Sequence, residues 1–147
     1  MLFAFIFKLK KMYQDYLMSE TSKFARLLAK LIGLKVDGDY EEYTKQFDII
    51  LHDEYHIELG LLLDLTKEAF KAHVLNAGYS PEKINALSQM LYVFAEPFTY
   101  SDDTQLILKK VLILFDILGE KGHFDSFENI EKRNAIYRYF IKADERS

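Results

Sequence analysis

The stretch that decides the fold is residues 106–118, which read LILKKVLILFDIL. Ten of these thirteen residues are apolar, and only Lys109, Lys110 and Asp116 interrupt them. A helix that is apolar nearly all round has to be surrounded by other parts of a protein, because every side of it carries large side chains that avoid water. The stretch therefore predicts a central helix in an all-α domain.

The rest of the chain has the length and composition of such a domain. Its 147 residues fit one domain, half of them are hydrophobic, and the 12 Phe and 10 Tyr indicate a packed core. The 6 Gly and 2 Pro are too few for the many turns of an all-β fold. We therefore predict a single helical domain over residues 12–147, preceded by an apolar and basic extension over residues 1–11.

Start and stop signals divide the domain into about six helices. Asp39 is an N-cap residue, and Ser80-Pro81-Glu82 places a capping hydroxyl before a proline at the first helical position. Gly33 is expected to end the first helix, and Gly119 and Gly122 are expected to end the helix that contains residues 106–118. The helices are expected at residues 12–32, from 39 to between 52 and 56, and at 65–76, 81–97, 101–118 and 125–142. Short connections imply antiparallel hairpins.

Two six-residue segments resemble each other: GDYEEY at 38–43 and GHFDSF at 122–127. Each follows a leucine-rich helix and opens the second helix of a hairpin. The glycine can supply a left-handed turn, and the aromatic residue two positions later can fill the gap between paired helices. Two explanations of the similarity stay open. The segments can descend from one repeated unit, or each can be the turn that any helical hairpin needs. The predicted structural turn residues are Gly38, Tyr40, Gly78, Gly122 and Phe124.

The pattern G-x-[YF]-[ED]-x-[YF] resembles the inter-helix turn of tetratricopeptide-type repeats. In addition, QDYL at 14–17, FARLLAKLIGL at 24–34 and GDYEE at 38–42 resemble a small bacterial family of unknown function with a tetratricopeptide-like fold. This resemblance covers about residues 12–140 and implies helical hairpins, a bacterial origin and no known activity. The chain departs from the repeats in having Tyr43 and Phe127 where they have alanine.

Charge is distributed unevenly along the chain. Residues 1–35 contain seven basic and two acidic residues, a balance of +5, whereas the remainder contains 12 basic and 21 acidic residues, a balance of −9. Lys23, Arg26 and Lys30 lie along one side of the first helix and form a candidate interaction surface for phosphates, anionic lipid or an acidic protein face. The acidic remainder disfavours nucleic acid as a partner.

The chain lacks the usual patterns of catalytic and cofactor sites. It has no cysteine, which excludes thiol catalysis and cysteine-ligated metals, and it has no glycine-rich phosphate loop. His52 and His56 are four residues apart in HDEYH, but Asp53 stands where the zinc-protease motif has glutamate. Asp116 is expected to be paired with a base or exposed. We therefore expect no catalytic residue, no metal and no cofactor.

The first eleven residues are unusually apolar. They are too short to cross a bilayer, and their lysines follow the apolar residues, unlike those of a signal peptide, so a cytoplasmic location is expected. The segment can dock on the domain or on a second copy, lie on a membrane, or arise from a start codon upstream of the true one at Met12. Docking across a dimer interface is expected. The large apolar residues are Leu2, Phe3, Phe5, Ile6, Phe7 and Leu9.

These observations favour a helical protein–protein interaction module without catalytic activity, whose partner is another protein or a second copy in a homodimer. Two alternatives stay open. One is a peripheral membrane or self-assembly protein that acts through residues 1–11, a less favoured reading. The other is a metal-binding protein or enzyme that uses the helix end at His52 and His56.

Overall fold

The computed structural model describes residues 2–122 and 126–146, and at residues 2, 3, 9, 10, 12–20, 121 and 122 it describes the backbone alone. These residues form seven α-helices and no strand, which confirms the all-α class. The expectation of about six helices was too low. The helices are α1 (Leu2–Val36), α2 (Tyr40–Tyr55), α3 (Leu59–Asp64), α4 (Lys67–Ala77), α5 (Pro81–Ala95), α6 (Asp102–Gly122) and α7 (Phe127–Arg146).

Helices α5 and α6 form the centre of the fold and make the most extensive helix–helix contact. Helix α6 also contacts α3, α4 and α7, while α5 contacts α1, which packs in turn against α2. Most side chains of residues 106–118 are accordingly buried or partly buried. The central position predicted for this stretch is confirmed.

Several helix ends are formed by the residues that the sequence indicated. The side chain of Asp39 accepts a hydrogen bond from the backbone nitrogen of Glu42 at 3.3 Å. The hydroxyl of Ser80 accepts one from the backbone nitrogen of Lys83 at 3.2 Å, and Pro81 is the first residue of α5. These bonds satisfy amide protons that have no partner within the first turn of a helix.

Two glycines expected to end helices do not. Helix α1 continues through Gly33 to Val36. Helix α6 continues through Gly119 as far as Gly122, the second glycine at which its end was expected. A glycine lowers helix propensity by about 1 kcal/mol relative to alanine but fits helical geometry, so it is a weak stop signal. The turn after α1 is made at Gly38, whose φ is +77°, and the backbone nitrogen of Asp39 bonds to the carbonyl of Leu34 at 3.0 Å.

Helix α3 occupies what the sequence indicated as a connection. It has one buried residue, Leu62, and its first backbone nitrogen, that of Leu59, donates to the carboxylate of Asp48 in α2 at 2.9 Å. A helix of 6 residues is too short to show a helical hydrophobic period. It forms because α2 and α6 both contact it.

Tyr40, the aromatic residue two positions after Gly38, was expected to fill the gap between paired helices, and this expectation was wrong. It is the first residue of α2 and its side chain is 63% exposed. Tyr43 and Phe47 fill the space between helices instead: their rings stack on Phe94 of α5, with centroids 6.3 and 4.9 Å away. The gap is therefore filled from Tyr43 onwards, one turn after Tyr40.

In the part of the chain that the structure describes, no helix combines the length and apolar character needed to cross a membrane.

Candidate functional site

The outer face of α7 carries a row of exposed apolar side chains. Phe127 is 74% exposed, Ile130 41%, Tyr137 45% and Ile141 60%. With the exposed Asn134 between them, their positions follow steps of three, four, three and four residues. Such steps place side chains along one side of a helix, as in helices that pair with another helix. We call these five residues the α7 row.

The opposite face of α7 is buried. Ile136 and Tyr139 belong to the hydrophobic core, and Asn129 is buried beside them. The hydroxyl of Tyr139 donates to the carbonyl of Thr99 at 2.6 Å, which ties α7 to the segment between α5 and α6. Because this face is occupied by the rest of the domain, the α7 row necessarily faces outwards.

Buried amides connect α7 to α5. Gln89 donates from Nε2 to Oδ1 of Asn129 at 2.8 Å, and Asn129 donates from Nδ2 to Oδ1 of Asn85 at 2.8 Å. The ammonium of Lys132 bonds to Oε1 of Gln89. Buried polar groups that are all paired fix one orientation of the elements that carry them, because any other orientation leaves some of them unpaired. This network fixes the rotation of α7 about its axis.

One flank of the α7 row is held to α6. The guanidinium of Arg133 bonds to Asp116 at 2.9 Å and to the hydroxyl of Tyr137 at 3.1 Å. Asp116 is exposed and paired with a base, which fits both expectations made for it. The pair also positions Tyr137, a member of the α7 row.

The start of α7 is capped by Ser126, whose hydroxyl accepts a hydrogen bond from the backbone nitrogen of Asn129 at 3.1 Å. Asp125, which the sequence placed at the same helix start, lies outside the described residues. Phe124 does too, and α6 ends at Gly122, so the turn role predicted for Gly122 and Phe124 stays a prediction. Gly78, with φ at +68°, and Gly38 both have the left-handed geometry expected of turn glycines.

The basic residues singled out on α1 partly face α2. Lys23 forms an ion pair with Glu54, and Lys30 donates to Oε1 of Gln46 at 3.3 Å. Arg26 is exposed. Two of the three residues thus join α1 to α2, and their use as a surface for a partner stays a prediction.

Three histidines, His52, His56 and His73, line one cleft of about 330 Å³. His52 and His56 lie at the end of α2, and His73 reaches the cleft from α4. Nε2 of His73 lies 2.8 Å from the carbonyl of Tyr55, so this nitrogen carries the proton. Among the side chains that the structure describes, no group of three or more His, Cys, Asp or Glu is placed to hold a metal ion.

A second cleft, of about 410 Å³, lies where α1 and α5 end and α2 begins. Lys35 lines it and bonds to the carbonyl of Val93 and, at 3.4 Å, to that of Phe94, which caps the end of α5. Burial lowers the pKa of Lys35, and nearby Glu96 partly opposes this shift. Burial, with a smaller contribution from Glu96, raises the pKa of Tyr43 behind the cleft. The ammonium of Lys35, a charged group of this cleft, is thus bonded to the end of α5.

The α7 row is the feature that our reading of the sequence missed. The sequence predicts a helix there, over residues 125–142, but no outward face was predicted for it. The steps of three and four residues from Phe127 to Ile141 were visible in the sequence. Whether such a row faces the core or the solvent depends on which face the buried amides hold inward.

Comparison of the chain with models of known protein families, with curated proteins and with solved structures finds no match. The resemblance to a small bacterial helical family is therefore not confirmed beyond the all-helical architecture.

Proposed function

We propose that the chain is a helical protein–protein interaction module whose contact face is the α7 row. The observation that carries this proposal is the position of four large apolar side chains on a helix whose other face is fixed by buried hydrogen bonds. Folded proteins seldom leave a continuous apolar patch uncovered unless a partner binds there. A rigid helix that presents such a patch is a common recognition element.

The form of the row indicates the form of the partner. Side chains at steps of three and four residues make a narrow apolar stripe, which matches the stripe of another helix better than it matches a flat sheet or a small-molecule pocket. The buried hydrogen bonds between α7 and α5 also favour binding, because an interface that is ordered before binding loses less entropy when the complex forms.

The test places a photo-crosslinking phenylalanine analogue at Tyr137 and, as control, at Lys71, an exposed position on α4. The proteins are irradiated in living cells and the adducts are identified by mass spectrometry. We expect one defined adduct from position 137 that disappears when Ile141→Asp is added and that re-forms between purified components. Adducts that match those from position 71 would overturn the proposal.

A second candidate function is binding to a membrane surface through the start of α1. Phe5, Ile6 and Phe7 are each more than half exposed, and Lys8 and Lys11 are exposed beside them. Apolar side chains next to basic ones suit the interface of anionic bilayers. The side chains of Leu2, Phe3 and Leu9 lie outside the described residues. Docking of this segment on a second copy stays a prediction.

The remaining expectations from the sequence belong to this proposal as well. They are a cytoplasmic location, a bacterial origin, a tetratricopeptide-like arrangement of hairpins and the lack of catalytic activity. The cleft at His52, His56 and His73 supports a metal or catalytic role less than the α7 row supports binding. Zinc that copurifies in stoichiometric amount and is lost in His56→Ala would reverse that order.

A further inference from the structure

We infer that the partner of the α7 row is the α7 row of a second copy of this chain, with the two helices antiparallel. The inference rests on the proposed function and names its partner. It is carried by the register of the row and by the charges beside it.

The register of the row is that of a helix-pairing seam with one polar member. Phe127, Asn134 and Ile141 are seven residues apart, and Ile130 and Tyr137 fall between them. An asparagine in such a seam lowers the stability of the helix pair when the residue opposite it is apolar. A second asparagine opposite it can instead pair with its amide and fix the alignment of the two helices. A second copy aligned about Asn134 supplies that group.

The antiparallel alignment also matches the apolar members of the row. Phe127 and Ile141 are each seven residues from Asn134, so Phe127 of one copy comes opposite Ile141 of the other. Ile130 and Tyr137 lie four and three residues from the centre, so they come opposite each other with an offset of one residue, about 1.5 Å along the helix. A two-fold axis through the pair uses one surface twice, as most homodimers do.

The charges along the free flank of the row are self-complementary. Glu131 and Arg138 are both exposed and lie on the same flank, three residues before and four residues after Asn134. In the antiparallel pair, Glu131 of one copy faces Arg138 of the other, and symmetry repeats this contact. On the opposite flank Arg133 is already bound to Asp116 of its own chain. Opposite charges that face each other select the partner and its direction.

The first experiment measures self-association of the full chain by sedimentation over a range of protein concentrations. We expect a concentration-dependent dimer and a monomer for Ile141→Asp. The matched control is Ile49→Asp, which places the same change on an exposed isoleucine of α2 and leaves the dimer intact. Circular dichroism verifies that both variants are folded. A parent that is monomeric at every concentration, or a dimer that Ile141→Asp leaves unchanged, would overturn the inference.

Charge reversal tests the pairing itself. Glu131→Lys and Arg138→Glu each place like charges opposite one another in the symmetric dimer, so each is expected to raise the dissociation constant about tenfold or more. An equimolar mixture of the two variants restores both attractive contacts and is expected to form a mixed dimer. Lys71→Glu on α4 is the control and leaves association unchanged. A mixture that stays monomeric contradicts the proposed alignment.

Direction is tested with cysteines, which the chain lacks. Phe127→Cys and Ile141→Cys are mixed under mild oxidation. The antiparallel pair gives the mixed disulfide between the two variants, whereas a parallel pair gives each variant joined to itself. The second result would overturn the antiparallel arrangement.

These outcomes are distinguishable from failure of the proposed function. If the purified chain is monomeric while position 137 cross-links to a different protein in cells, the second copy is not the partner and the interaction module stands. If neither the dimer nor a defined adduct forms, both fail.

Discussion

Gln89 and Asn129 lie 40 positions apart and are joined by a buried hydrogen bond of 2.8 Å between their side-chain amides. The bond links the central helix α5 to the last helix α7, and Asn85 and Lys132 extend it at either end. These four side chains can all be paired in only one rotation of α7 about its axis. The network therefore determines which residues of α7 face the solvent.

Loss of the amide network is expected to destabilise the domain. Asn129→Ala removes the bonds that Gln89 and Asn85 make to Asn129, while Gln89 keeps its bonds to Ser88 and Asn85. The loss is expected to cost about 0.5–1.5 kcal/mol for each of the two bonds removed. Chemical denaturation measures the change in the free energy of unfolding. The control is Asn76→Ala, an exposed position on α4, expected to change stability by about 0.5 kcal/mol or less. Equal effects of the two substitutions would contradict the role of the network.

The two glycines at the end of α1 are expected to respond in opposite ways to alanine. Gly33 is helical, with nothing within 4 Å of an added Cβ, so Gly33→Ala should stabilise by about 1 kcal/mol. Gly38 has φ at +77°, so Gly38→Ala should destabilise by about 1–2 kcal/mol although it also has open space around it. Thermal melts of both variants provide the comparison. A change of the same sign in both would place the turn elsewhere.

Removal of the Tyr43 hydroxyl is expected to stabilise the domain. In the described part of the structure this buried oxygen has no hydrogen-bond partner. Tyr43→Phe removes the cost of burying it, about 1–3 kcal/mol for a group that water cannot reach. Urea denaturation at neutral pH measures the difference.

The same substitution has a predicted pH dependence. Burial and, to a smaller extent, Glu96 raise the pKa of Tyr43 above the 10.0 of an exposed tyrosine. A folded pKa above the unfolded one means that the folded state holds the proton more tightly. The free energy of unfolding of the parent chain is therefore unaffected by the ionisation of this group below pH 10 and falls as the pH rises above 10, where the unfolded chain loses the proton first. The gain from Tyr43→Phe should therefore grow above pH 10. A gain that is constant with pH would show that the hydroxyl ionises as freely in the folded chain as in the unfolded one.

The start of α1 is expected to act separately from the α7 row. A version that begins at Met12 lacks Phe5, Ile6 and Phe7 and should lose flotation with anionic vesicles if the second candidate function holds. Its dimerisation through α7 should equal that of the full chain. Ultracentrifugation and vesicle flotation of the two versions separate the effects. A truncated chain that no longer dimerises would assign the dimer to residues 1–11 instead.

The sequence alone determined the class of the fold and the place of its central helix. Residues 106–118 are apolar on all sides, and no arrangement of them in water is favourable unless other helices surround them. Capping is also local: Asp39 and Ser80 act on backbone groups three residues away, so their effect could be recognised without knowledge of the fold.

Tertiary structure decided which faces are covered. Tyr40 and Tyr43 lie one turn apart on α2, yet only Tyr43 meets Phe94, a residue 51 positions further along the chain. The exposure of the α7 row depends in the same way on Gln89 and Asn85, and the cleft with three histidines depends on the packing of α4 against the end of α2. These features arise from contacts between residues distant in the chain, and periodicity within one helix carries no information about its neighbours.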